Sequence, residues 1–334
     1  MQIVTFQAAD GGSSRPGAVD GGEIVDLSVL CRDDPAGASV LELLRGGPSE
    51  LARAREAVDR SRSTGRDRIP MDSVHLLAPL PRPNSIRDFM LVEEHVSNSF
   101  GSVPAEWYQL PIHWKGNPDT VFGPDTEIPW PYYTDKLDFE LEVAAVLGRP
   151  AYRVGVEEAQ ACIAGFTIFN DWSARDIQLR EMKVGLGPAF GKDFATSMGP
   201  VLATPDEFDV RTAAMTARVN GETWTSGSLG GMLFSFAEAI SALSATQPLQ
   251  PGDVFGGGTV GNGCGYELDR WVNPGDVVEL EVEGIGVLRN TVGRKQSPPS
   301  SGLDLRAPTA SASAERLDSN HTHSASAGRR SENK

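Results

Sequence analysis

The chain has 334 residues, 40% of them hydrophobic, and 45 acidic against 30 basic residues give it a formal net charge of −15. This charge would repel a phosphate backbone, so nucleic acid is disfavoured as a partner. No stretch approaches the roughly 20 uncharged apolar residues that cross a membrane, and the first residues lack the pattern of a secretory signal. Cys31, Cys162 and Cys264 are too widely spaced for a disulfide framework or a cysteine-based metal site. We expect a cytoplasmic protein with no membrane segment.

The first 75 residues predict a small N-terminal α+β domain. Residues 2–6 and 23–27 are short and strand-like, and a helical stretch follows them. Two glycines and Pro48 interrupt this stretch, and Pro48 marks the start of a new helix. The charged residues of this helix indicate a solvated face.

Residues 76–295 have a β-rich pattern. Runs of β-branched and apolar residues at 141–148, 162–170 and 277–292 predict strands, and glycines punctuate them. Apolar residues three and four apart predict a helix within 229–245. Strands and helices do not alternate strictly, so we expect a β-rich α+β fold and not a doubly wound sheet.

Residues 296–334 predict a disordered tail, because Ser, Ala, Pro and charged residues leave too few large apolar side chains for a core. His321 and His323 lie in this segment. We expect both to be solvated and not to bind a metal.

Two acids in the segment LDFELEV suggest a metal site. Glu140 and Glu142 point to one side of a strand, where their charges repel each other unless a cation lies between them. Mg²⁺, Mn²⁺ or Ca²⁺ would suit such oxygen ligands. The alternative is an exposed strand face with two solvated acids.

The segment GFTIFNDWSARDIQ places Asp171 at the end of a strand. Arg175 and Gln178, three residues apart, would share one face of the following helix and could bind a common anion. In the alternative, Asp171 or Ser173 caps the helix and Arg175 is a surface residue.

Two basic side chains could take part in chemistry. Lys192 could neutralise a carboxylate cluster or stabilise an oxyanion, or it could be an ordinary loop lysine. His95 follows Glu93 and Glu94, so it could be a general base oriented by a carboxylate, or a histidine on a surface helix.

The glycine-rich segment 256–271 lacks the residues of a phosphate-binding loop, so a nucleotide site is not expected. Its glycines could let a loop approach a ligand closely, or could form a plain hairpin. Nothing near Cys264 in the sequence would activate its thiol, and we expect it to be structural.

The chain resembles the fumarylacetoacetate hydrolase family in the order of five segments: DFMLVEEHVSN, LDFELEVAAVLGR, GFTIFNDWSARDIQ, GKDFATSMGP and GGGTVG. The resemblance covers about residues 80–293, and residues 1–75 resemble the short leader domain of bacterial members. It implies a mixed β-roll, a homodimer, and a divalent metal held by carboxylates.

The resemblance also implies roles for individual residues. The expected metal ligands are Asp88, Glu140, Glu142 and Asp171, with Thr196 near a second, smaller ion. The expected base is His95, oriented by Glu267, and the groups expected to stabilise an oxyanion are Arg175, Gln178 and Lys192. The expected substrate contacts are Met90, Trp114, Met182 and Thr259. The first three of these contacts replace tyrosines and an arginine of the fumarylacetoacetase branch, which implies a more apolar pocket.

These roles imply a metal-dependent hydrolase that cleaves a carbon–carbon bond of a β-diketone or an acylpyruvate through a metal-bound enolate. His95 would activate the attacking water. Two alternatives stay open. One is a 2-oxo acid decarboxylase, hydratase or isomerase on the same fold, and the other is a non-catalytic binder of a small molecule or a metal.

Overall fold

The structure is a computed structural model of the chain, and it describes residues 1–30 and 38–306. Cys31, His321 and His323 lie outside the described residues. The strands are β1 Gln2–Ala8, β2 Arg15–Asp20, β3 Glu23–Asp26, β4 Arg68–Pro70, β5 Val74–Leu77, β6 Ser85–Phe89, β7 His113–Gly116, β8 Val121–Phe122, β9 Glu127–Trp130, β10 Leu137–Asp138, β11 Glu142–Leu147, β12 Ile163–Asp171, β13 Ser173–Ala174, β14 Thr196–Ala203, β15 Met215–Val219, β16 Glu222–Gly227, β17 Asp253–Gly256, β18 Val277–Val282 and β19 Gly286–Lys295. The helices are α1 Val40–Arg45, α2 Gly47–Thr64, α3 Glu93–Phe100, α4 Val156–Cys162, α5 Arg175–Glu181, α6 Phe236–Ser244 and α7 Gly265–Leu268. The predicted β-rich α+β class is confirmed.

One large sheet organises the described residues. Its twelve strands run in the order β4-β3-β2-β1-β14-β12-β11-β17-β6-β7, with β5 beside β1 and β8 beside β14. Every residue of β11 and β12 is buried. Val143 and Ala145 join one core cluster, whereas Ala144 and Val146 join the other. Because both faces of the sheet are covered, these strands read as continuous apolar runs.

The two faces of the large sheet are covered by different layers. Helices α1 and α2 contribute Leu43 and Val58 to the cluster on one face. On the other face, a second sheet in the order β16-β15-β18-β19-β9 contributes Leu280, and α6 contributes Ile240. Strands β10 and β13 form a separate pair. The core therefore lies on both sides of the strands that end at the candidate site.

The predicted helix starts can be compared with the structure. Pro48 lies in the first turn of α2, as predicted. The helix predicted within residues 229–245 begins only at Phe236, because Ser235 caps it: the Ser235 hydroxyl accepts from the Glu238 amide, and the Glu238 carboxylate accepts from the Ser235 amide. Residues 229–231 form a separate 3-10 turn.

The predicted boundaries at residues 75 and 296 remain predictions. The first falls inside β5, and β1 pairs with both β5 and β14, so one sheet continues across it. Beyond the second, the described residues reach Arg306, and Tyr132 donates a hydrogen bond to the Leu303 carbonyl at 3.3 Å. Among the described residues, no helix is both long and apolar enough to cross a membrane.

Candidate active site

Four strands of the large sheet bring their ends together at one cavity of about 400 Å³. Asp88 lies near the carboxyl end of β6, Asp171 ends β12, and Glu142 begins β11. The glycine-rich segment follows β17, which is parallel to β6. Gly256 lies opposite Asp88 in this pair, and a Cβ atom on it would be 2.2 Å from Asp88 Oδ1. The segment is therefore not a plain hairpin: it lets the backbone approach the carboxylates.

The acids are buried and close together. Asp88, Glu140 and Glu142 each offer an oxygen, and these oxygens lie within 4.8 Å of one another. Glu140 is 4% exposed and Glu142 is fully buried, so the alternative of a solvated strand face is wrong. Glu142 accepts hydrogen bonds from the Gly258 amide at 3.0 Å and the Thr259 hydroxyl at 3.2 Å.

Two buried cations hold this cluster together. Lys192 donates to Glu140 Oε2 at 3.0 Å and also to Asp171 Oδ2. Arg175 donates to Glu140 Oε1 at 2.7 Å. Lys192 is 2% exposed, so it is not an ordinary loop lysine, and its charge offsets part of the charge of the cluster. Arg175 is likewise not a surface residue, and the residue at the N-cap of its helix is Ala174, which excludes capping by Asp171 or Ser173.

The sequence predicted that Arg175 and Gln178 could bind a common anion, but in the structure Arg175 bonds to other side chains. Its Nη1 donates to Gln178 Oε1 at 3.2 Å, and its Nε donates to Asp138 Oδ2 at 2.8 Å. The guanidinium is therefore occupied by side chains of the chain itself. Its roles, and those of Gln178 and Lys192, at an oxyanion remain predictions.

The protonation of the acids reflects their burial. Burial and the charge of Glu140 raise the pKa of Asp88 to about 6. Burial and the charges of Asp88 and Glu140 raise the pKa of Glu142 well above its usual range. Burial also acts on Glu140, but the positive charges of Lys192 and Arg175 outweigh it and lower that pKa. The cluster therefore carries more carboxylates than its own cations can stabilise.

A hard divalent cation fits this donor set. Asp88 Oδ1 and Asp171 Oδ1 are buried and have no hydrogen-bond partner among the described residues. Buried polar atoms normally have hydrogen-bond partners. Two carboxylate oxygens without a partner, beside a cluster of acids, therefore indicate that a bound group is missing. Oxygen ligands of this kind suit Mg²⁺, Mn²⁺ or Ca²⁺.

His95 lines the same cavity and is held by Glu267. His95 on α3 contacts Glu267 on α7, with 3.0 Å between Nδ1 and Oε2. His95 is 6% exposed and lines the cavity, so the alternative of a surface histidine is wrong. Glu267 is itself held by Asn98 Nδ2 at 2.9 Å and the Asn262 amide at 3.1 Å. Since Nδ1 contacts Glu267, Nε2 is the ring nitrogen left for a substrate.

Sequence reasoning missed Asp138, which links the two groups. Its Oδ2 accepts from Arg175, while its Oδ1 accepts from the Gly265 amide at 2.7 Å at the start of α7. Asp138 thus joins Arg175, which is bonded to Glu140, to the helix α7, which carries Glu267. The signal was present, because Asp138 precedes Glu140 by two residues and so shares its side of an extended segment.

The remaining predicted site residues fall into two groups. Met90, Trp114, Met182 and Thr259 all line the cavity. Trp114 donates its indole N–H to Asp88 Oδ2 at 3.2 Å. Thr196 lies opposite Asp171 in the pairing of β12 with β14, but it is not among the residues that line the cavity. Its predicted place near a second ion remains a prediction.

Comparison with known proteins gives three kinds of match. The model of the family described as "Fumarylacetoacetate (FAA) hydrolase C-terminal" matches residues 85–293. A mitochondrial oxaloacetate tautomerase of Xenopus laevis is 31% identical over 299 residues, which cover 87% of this chain and 90% of the relative. The oxaloacetate tautomerase YisK of Bacillus subtilis is 31% identical over 270 residues, 76% of this chain and 86% of the relative. A crystal structure of a probable 2-hydroxyhepta-2,4-diene-1,7-dioate isomerase from Mycobacterium abscessus is 28% identical, with a TM-score of 0.68, and covers 89% of this chain and 100% of that one.

Proposed function

This chain belongs to the fumarylacetoacetate hydrolase family, as its sequence predicted, and we propose that it moves a proton between C3 and the keto oxygen of a small 2-oxo acid. The observation that carries the proposal is the position of His95, held by Glu267, at the same cavity as the buried carboxylates. The two oxaloacetate tautomerases among its relatives support this reaction class.

The proposed cofactor is a divalent metal. Asp88, Glu140, Glu142 and Asp171 are the proposed ligands, and an Mg²⁺ or Mn²⁺ ion held there would supply a positive charge that polarises the keto group. Lys192 and Arg175 offset part of the negative charge of these acids through their hydrogen bonds to Glu140. These cations therefore lower the free-energy cost of keeping several carboxylates buried at the site.

The proposed proton carrier is His95. Glu267 is buried against it, and the hydrogen bond from His95 Nδ1 fixes the tautomer in which Nε2 is free to accept a proton. Accepting a proton from C3 and returning one to the keto oxygen isomerises the substrate without any gain or loss of atoms. The imidazolium formed in between is stabilised by the Glu267 carboxylate.

A second candidate is the hydrolysis of a carbon–carbon bond in an acylpyruvate. It is favoured by the size of the cavity, about 400 Å³, which leaves room for an acyl group beyond a pyruvate unit. In this reaction His95 would take a proton from water, the resulting hydroxide would attack the acyl carbonyl, and the bond from that carbon to C3 would break. The leaving group is the enolate of pyruvate, which would take the proton held by His95 at C3 to give pyruvate.

Both reactions can be measured on one preparation that is stripped with a chelator and then supplied with Mg²⁺ or Mn²⁺. Exchange of the C3 protons of oxaloacetate in D₂O reports isomerisation, and release of pyruvate from acetylpyruvate reports hydrolysis. We expect metal-dependent exchange above the rate in buffer containing the same ion. Absence of both reactions, with metal binding shown by calorimetry, would contradict the proposal and favour a non-catalytic binder.

A further inference from the structure

The cavity has two unlike regions. The charged floor consists of Asp88, Glu140, Glu142, Asp171, Arg175 and Lys192, and the apolar wall consists of Phe100, Trp107, Ile112, Leu179 and Met182. Floor side chains are buried, whereas Phe100, Ile112, Leu179 and Met182 are between 37% and 50% exposed. Large apolar groups that stay exposed around a concave site mark a surface that a ligand or partner covers.

The apolar wall offers few polar contacts to a ligand. Trp107 is buried, and its indole N–H donates to the Met90 carbonyl at 2.6 Å, so the ring meets the cavity as an apolar surface. The other four side chains of the wall carry no hydrogen-bonding N–H or O–H group. A carboxylate placed against this wall would lose water without gaining donors from these side chains, which is costly.

The cations that line the cavity are already engaged. Among the described lining residues, Arg175 and Lys192 are the side chains with a permanent positive charge, and both are bonded to acids of the floor or next to it. His95 contacts Glu267. Burial lowers the pKa of His113, the other histidine of the cavity, so it is neutral near pH 7. None of these groups is left to bind a second carboxylate at the wall.

The remaining charge near the wall has the wrong sign for an acid. Glu106 lines the cavity and is exposed, and it lies next to Trp107 in the chain. Its carboxylate would repel a second carboxylate on a ligand, and the net charge of −15 acts in the same direction.

We infer that a 2-oxo acid long enough to reach the apolar wall of this cavity ends in an apolar group, aliphatic or aromatic, and not in a second carboxylate. This inference rests on the proposed function, since it assumes that the 2-oxo acid end lies on the charged floor. The distal group then covers the apolar wall. The substrate class is thus narrower than that of a general 2-oxo acid enzyme, and it excludes long dicarboxylates.

A matched pair of ligands tests the inference directly. 2-Oxooctanoate and 2-oxooctanedioate have the same chain length, and they differ in a terminal methyl against a terminal carboxylate. Calorimetry with the Mg²⁺-loaded protein should show tighter binding of 2-oxooctanoate, by about tenfold or more, because the wall gives the second carboxylate no partner. Exchange of the C3 protons of both acids in D₂O should follow the same order.

A charge introduced into the wall should change this preference. Leu179→Lys adds a cation on α5. We therefore expect the dissociation constant of 2-oxooctanedioate, divided by that of 2-oxooctanoate, to fall by about tenfold. Val287→Lys is the matched control, because Val287 is also a half-exposed apolar residue, lies on β19 and does not line the cavity. The control should keep the wild-type ratio.

The possible outcomes separate this inference from the proposed function. Equal or tighter binding of 2-oxooctanedioate, in a protein that still exchanges the C3 protons of oxaloacetate, would overturn the inference alone. A Leu179→Lys variant that changes the mass in light scattering but not the ratio would overturn it too, since the wall would then be covered by a second copy. Failure of every 2-oxo acid to bind or react would remove the proposed function as well.

Discussion

The carboxylate cluster and His95 line one cavity, but the cluster and the His95–Glu267 pair are built differently. Asp88, Glu142 and Asp171 lie on β6, β11 and β12 of the large sheet, whose residues pack on both faces, and Glu140 lies just before β11. The pair stands on α3 and α7, two short helices whose neighbouring residues Asn98 and Asn262 are near the surface. The sheet therefore fixes three of the four proposed metal ligands, whereas the proposed base depends on how two short helices pack.

The first prediction concerns the cluster and has the largest expected effect. Glu142→Gln removes one proposed ligand charge, so catalysis by the loaded protein should fall by about a thousandfold, the size expected when a metal's charge stabilisation is lost. Half-exposed Glu281 on β18, which pairs with Arg218, offers the control Glu281→Gln, which should keep activity. Rates of C3 exchange and calorimetry with Mn²⁺ measure both effects.

The same variant should separate metal binding from folding. Burial and nearby acids raise the pKa of Glu142, so its charged form costs stability in the metal-free protein near pH 7. Glu142→Gln should therefore leave the metal-free melting temperature unchanged or raise it, while Mn²⁺ should raise the melting temperature of the wild type only. A large loss of stability without metal would contradict this expectation and show that Glu142 also supports the metal-free fold.

The second prediction concerns the pair. His95→Gln should lower the rate of C3 exchange by about 100-fold, the typical contribution of a positioned base, while Mn²⁺ binding stays unchanged. His75→Gln is the matched control, since His75 is an exposed residue of β5 outside the cavity. Activity that survives in His95→Gln would mean that another group carries the proton.

Local patterns predicted Glu140 and Glu142 because they lie two residues apart, whereas Asp88 was predicted as a ligand only by the family resemblance. The two-residue spacing of Glu140 and Glu142 and the strand end at Asp171 are visible in the sequence. The same spacing includes Asp138, which the prediction from the two glutamates left out. Its partners, Arg175 and the Gly265 amide, lie 37 and 127 residues away, so spacing could not reveal them.

Contacts between distant segments required the resemblance or the structure. His95 and Glu267 are 172 residues apart, and only the family resemblance suggested their pairing. Burial was equally hidden: Lys192 and His95 each had an alternative as an exposed residue, and nothing local excluded it. Burial depends on what packs over a segment, and the strands that pack here come from many parts of the chain.

The third prediction tests the link between cluster and pair. Asp138→Asn replaces an acceptor by an amide group that faces donors from Arg175 and the backbone. The positions of both the carboxylate cluster and the His95–Glu267 pair should therefore change. We expect about a tenfold loss in exchange rate and a destabilisation of about 3 kcal/mol, typical of breaking a buried ion pair. Asp125→Asn removes an exposed ion pair with Arg289 and should cost at most about 1 kcal/mol. If Asp138→Asn weakens Mn²⁺ binding but leaves the His95-dependent rate intact, Asp138 serves the cluster alone.

The smallest effect is expected at Cys264, which contacts Glu267 of the His95–Glu267 pair. Its thiol donates to Glu267 Oε2 at 3.3 Å, and burial raises its pKa well above the usual range, so the thiol is neutral and unreactive. Cys264→Ser keeps a donor at this position, and its exchange rate should stay within about threefold of the wild type, the effect of one altered hydrogen bond. Cys162→Ser, remote from the cavity, is the control. Alkylation of Cys264 by iodoacetamide in the folded protein, seen by peptide mapping together with loss of activity, would instead identify a reactive nucleophile.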